Sequence, residues 1–134
     1  MMFLLLITLF SVYAGNGDIV ISDQWMRPGA EKMATALYFK IENNGSSADT
    51  LYYVSSGVSK MIQIHETYSS GDMMGMREVK FIVVEPNSEF ELKPGSHHIM
   101  VMKLIKDISI NEEVDFTLHF KNAGDVNITA KARK

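Results

Sequence analysis

From residue 18 onward, short β-branched and aromatic runs alternate with clusters of Gly, Pro, Asn and Ser, and no stretch sustains the apolar period of a long helix. Period-two reading predicts strands at 19–22, 35–42, 50–55, 61–67, 77–84, 89–92, 98–105, 114–121 and 126–130. The separators at 43–46, 85–88, 93–96, 111–113 and 122–125 carry the residues that turns require. Alternation is cleanest where Phe116, Leu118 and Phe120 face one way and Thr117 and His119 the other, which puts His119 on the solvent face. Short strands at this spacing predict an all-β sandwich or barrel.

The first fourteen residues differ in kind. They hold no charge and form an apolar run shorter than the roughly 20 residues a spanning helix needs. Residues 1–14 are therefore expected to be a secretory signal and 15–134 a single domain with no stable membrane insertion after cleavage. The basic residues that usually open such a signal are missing, since Arg27 is the first basic residue. A formal charge of −3 gives no reason to expect a nucleic-acid partner. The absence of cysteine excludes disulfides, CxxC redox chemistry, a thiolate metal site and a lipid-accepting thiol within these residues.

Without thiols, the soft donors that remain are thioether and imidazole, and they cluster. His65, Met76, His98 and Met100 are the candidate metal ligands, and their donor types suit Cu(I) better than Mg, Ca or structural Zn. In the strand around residue 65, Ile62 and Ile64 take one face, so Met61, Gln63 and His65 take the other. His98, Met100 and Met102 share a face in the later strand, while His97 projects the opposite way. Met74, Met102 and His97 are auxiliary donors close to the set. Residues 66–72 are expected to form a polar loop that His65 and Met76 flank, which makes this a surface site. Met26, Met33 and Met61 are assigned to core filling, the usual use of methionine. No G-x-S-x-G elbow occurs and spacing nominates no Ser-His-Asp set, so a non-enzymatic protein is expected. Blue-copper electron transfer would need a cysteine.

The chain also resembles the PCuAC-type periplasmic copper chaperone family. The family signature is a His, ten residues, a Met, twenty-one residues, then His-x-Met, and His65, Met76, His98 and Met100 stand at those spacings. Segments 33–43, 65–66, 74–77, 92–95 and 98–102 look like family stretches, and the likeness runs over residues 21–130. The resemblance implies a cupredoxin-like Greek-key β-sandwich and Cu(I) held by two His and two Met. It further implies copper delivery in the periplasm towards the CuA centre of cytochrome c oxidase. Apo subunit II of that oxidase or a Sco-type thiol protein would be the acceptor. Two departures are the sequence Gly95-Ser96-His97-His98, where the family often has paired glycines before the second His, and an ending at Lys131-Ala132-Arg133-Lys134 without a His- and Met-rich tail. Copper storage and a metal-free secreted interaction domain are the alternative functions.

Overall fold

Period-two alternation becomes ten strands, with no helix among residues 18–134, the part of the chain that the computed structural model describes. The expected signal, 1–14, lies outside the described residues. The strands are β1 (Ile19–Met26), β2 (Thr35–Asn43), β3 (Asp49–Ser55), β4 (Met61–Ser70), β5 (Met73–Val79), β6 (Ile82–Val84), β7 (Ser88–Glu91), β8 (His97–Met102), β9 (Glu113–Phe120) and β10 (Gly124–Ala132). They form one mixed sheet in the order β5-β4-β8-β2-β1-β10-β9-β3-β6, with β7 paired to β2. The neighbours β4–β8, β8–β2 and β9–β3 are distant in sequence, as the crossing connections of a Greek-key arrangement require. Only β1 and β10 run parallel among the described strands.

The sheet is held by a single core. Val114, Phe116, Leu118 and Phe120 of β9 and Val126, Ile128, Ala130 and Ala132 of β10 alternate strictly between buried and outward positions. They join Leu37, Phe39 and Ile41 of β2 and Ile99 and Val101 of β8 in one cluster. Burying each large side chain contributes about 1.5–3 kcal/mol, which offsets chain entropy without any cross-link. The Asp49 carboxylate, also buried, accepts the backbone N–H groups of Asn122 and Ala123 at 2.9 Å each and so fixes the β9–β10 turn to β3.

Several strands differ from the period-two reading, each for a local reason. The expected strand 77–84 is two strands, because β5 pairs with β4 whereas β6 pairs with β3. β1 runs on to Met26 through a bulge between Ser22 and Trp25, with Asp23 at a φ of 56°. β8 stops at Met102, since Lys103 turns to a φ of 50°.

The expected loop 66–72 is instead the body of a hairpin. β4 and β5 pair from Ile64↔Val79 out to Ser70↔Met73, closing on Gly71-Asp72 with Gly71 at a φ of 61°. Its polar residues resemble a loop because both faces of this edge hairpin meet water. On one face Tyr68 covers Gly75, where an added Cβ would lie 2.8 Å from the ring. Arg77 sits 4.8 Å over the same ring and donates to Glu66 at 2.6 Å.

Candidate metal centre

Register brings the four candidate ligands to one face. In the β4–β8 pairing His65 stands opposite His98 and Gln63 opposite Met100, while Thr67 stands opposite Met76 on β5. The intervening Ile64 and Ile99 point into the core at 4% and 0% exposure, which turns their neighbours to the other face. Met76, His98 and Met100 line a cleft of about 380 Å³ together with Thr67, Ala36 and Tyr38. His65 meets this group through His98, their rings 5.8 Å apart and inclined at 61°. A larger groove of about 490 Å³ runs past Trp25 and Pro94, and it contains none of the four.

The imidazole tautomers follow from their partners. His98 Nδ1 lies 3.2 Å from the Ser96 carbonyl, which can only accept, so Nδ1 carries the proton and Nε2 presents a bare lone pair. His65 Nε2 donates to the Gln63 amide oxygen at 2.8 Å, which leaves Nδ1 bare in the same way. His65 Nδ1 and His98 Nε2 are both buried and have no hydrogen-bond partner. An unsatisfied buried polar atom costs about 1–3 kcal/mol, and a soft cation between the two imidazoles would remove that cost. Tying the second ring nitrogen to a carbonyl is the arrangement that orients a metal-bound histidine. The residues present therefore fit Cu(I): two oriented nitrogen lone pairs and two neutral thioethers on one face. Among the described residues no group of three or more His, Asp or Glu is gathered to hold a metal.

Burial pushes the His65 pKa below its ordinary 6.5, nearby His98 pushes it the same way, and Glu78 opposes them. The unfolded chain then takes up this proton more readily than the folded one. Stability from this group is complete above about pH 6.5 and is lost as the pH falls through the folded pKa. The metal-free protein should melt at a lower temperature near pH 5 than near pH 8, and His65→Gln should flatten that dependence. Thermal unfolding across this range checks it.

The remaining donors lie elsewhere. His97 turns to the opposite face, where it meets Glu66 at 3.3 Å and the Phe90 ring at 5.0 Å, and it does not line the cleft. Met74 stands opposite Ser69 further along the hairpin and is 73% exposed; Met102 stands opposite Met61. Two residue readings need correction: Met33 and Met61 are exposed rather than in the core, where Met26 does lie. Within the surface cleft His98 itself is buried, at 4% exposure. Gln63 and the Ser96 carbonyl were not singled out by sequence, although each sits two residues before a candidate histidine, where strand alternation would direct a search.

The structure also joins Ser55, His119 and Asp125, a set that sequence spacing did not nominate. Ser55 Oγ lies 2.9 Å from His119 Nε2, and His119 Nδ1 donates to Asp125 at 2.8 Å. The order matches a nucleophile, base and orienting carboxylate. It lies on β3, β9 and β10, none of which lines the cleft, and the Asp125 side chain is 66% exposed, so water screens the carboxylate.

Comparison with known proteins bears on the family and the fold. The family described as "Putative lipoprotein LpqE-like" matches residues 19–132. The "Putative lipoprotein Lxx21020" of Leifsonia xyli subsp. xyli is 27% identical over 105 residues, covering 78% of this chain and 63% of that protein. The uncharacterized protein RP573 of Rickettsia prowazekii (strain Madrid E) is 28% identical over 101 residues, covering 72% and 56%. The chain thus spans less than two thirds of the length of these relatives. Among solved structures, the copper-bound PCuAC domain from PmoF2 is 26% identical with a TM-score of 0.76, over 90% of this chain and 96% of that domain. CuI-DR1885 from Deinococcus radiodurans, at 21% identity and a TM-score of 0.67 over 89% and 82%, shares the fold. The chain belongs to the LpqE-like family, and its all-β domain has the fold of the PCuAC domains.

Proposed function

We propose that this protein is an extracytoplasmic carrier that holds one Cu(I) tightly through His65, Met76, His98 and Met100 and passes it on. The observation that carries the reading is the pair of buried, unpartnered imidazole nitrogens beside two thioethers on one sheet face. The copper in the similar PmoF2 domain supports the choice of metal. Thioethers bind without losing a proton, so only the two histidines make loading pH-dependent. Four donors saturate the ion and leave no position for a substrate, which favours carriage over catalysis.

Met76 is 60% exposed, so an incoming partner can replace this donor first. The acceptor would be a Sco-type thiol protein or apo subunit II of cytochrome c oxidase, and residues 1–14 would serve as the export signal. Anaerobic titration against a colorimetric Cu(I) chelator should show one tightly held equivalent. Loaded protein mixed with each apo acceptor should then lose its copper to at least one of them. Failure to compete with the chelator would remove copper from the account, and retention against both acceptors would make the protein a store.

A further inference from the structure

We propose that the same sheet face carries a second Cu(I) site, formed by the thioethers of Met61 and Met102. The inference rests on the reading of Cu(I) as cargo and extends it from one ion to a short chain of sites. Met61 and Met102 stand directly opposite each other in the β4–β8 ladder, four residue pairs and hence two same-face steps from the His65–His98 pair. Directly opposed side chains have Cβ atoms about 4.5–5.5 Å apart, so two flexible thioether arms converge on one small ion without backbone movement. Alternation puts both on the face of Gln63, His65, His98 and Met100 rather than in the core.

Burial separates this pair from filler. Met26, a core methionine, is 0% exposed, whereas Met61 is 38% exposed and Met102 is only partly covered. The rung is also held rigidly. The buried Ser59 hydroxyl contacts the carbonyl oxygens of both Met61 and Met102 and accepts from the Met61 N–H at 3.0 Å. Two neutral sulfurs and no carboxylate form a donor set for a soft monovalent ion, not for a divalent one. Met100 lies one same-face step from Met102, about 7 Å along the strand, so its thioether reaches towards either site. An ion can therefore move between the Met61–Met102 rung and the histidine site by exchanging one thioether at a time. The second site is the weaker of the two because it has no imidazole.

The test uses the whole chain with ¹³C-labelled methionine methyls and Cu(I) added anaerobically. The first equivalent should shift the Met76 and Met100 methyls and the second those of Met61 and Met102. Met61→Leu with Met102→Leu, a volume-conserving pair, should reduce the bound copper from two equivalents to one and leave the first intact. Binding that stops after one equivalent at Met76 and Met100 overturns this site and leaves the carrier reading standing. So does a second equivalent that leaves the Met61 and Met102 methyls unmoved. Methyls that stay unshifted throughout overturn both. Because the methyl shifts are read on the unmodified protein, the outcome does not depend on the variant folding.

Discussion

Met76→Ala combined with Met100→Ala should abolish tight Cu(I) binding and leave the fold in place. Met76 is 60% exposed on the edge strand β5, so its truncation removes little packing and should change stability by under about 0.5 kcal/mol. Met100 is partly buried, and its truncation should cost about 1–2 kcal/mol. The two histidines would remain oriented by Gln63 and the Ser96 carbonyl, but with half of the donors gone. Cu(I) affinity should fall by more than about 100-fold, beyond what loss of a supporting residue alone produces. Chelator competition measures the affinity and urea unfolding the stability. Unchanged affinity would show that the cleft is not the binding site.

Ile99→Ala should produce the largest loss of stability, about 2–5 kcal/mol, measured by the shift of the urea midpoint at constant slope. Ile99 is fully buried, lies between Leu37 on β2 and Ile64 on β4, and the sheet has no cross-link to compensate. Val83→Ala, on a 42% exposed position of the edge strand β6, is the contrasting case and should stay within about 0.5 kcal/mol. Ile99 also separates His98 from Met100, so the cavity loosens both proposed donors. A 10- to 100-fold loss of Cu(I) affinity, about the effect of losing a supporting residue, should accompany the destabilisation.

The parts of this fold that are legible in the sequence are those where one face is apolar and the other polar. β9 is the plainest case, and the common face of His98 and Met100 follows from the same alternation around Ile99 and Val101. Where both faces are wet, alternation carries no such contrast, and the outer end of the β4–β5 hairpin, 66–72, therefore looks like a loop. Periodicity also says which residues share a face but not which strands become neighbours. The break between Val79 and Ile82 comes from a change of partner strand, which a local window cannot contain. The same limit hid Ser55, His119 and Asp125, whose meeting depends on β3 pairing with β9. Met61 and Met33 look like core residues by type, and only their tertiary surroundings leave them exposed.

The adjacent pair His97 and His98 gives the opposition of buried and outward faces a further consequence. A slip of β8 by a single residue against its neighbours would exchange the two imidazoles, bringing His97 to the cleft and His98 to Glu66. The same slip would carry Ile99 and Val101, both fully buried, out to water, at about 1.5–3 kcal/mol each. Two aliphatic side chains that face away from the cleft thus decide which histidine it receives.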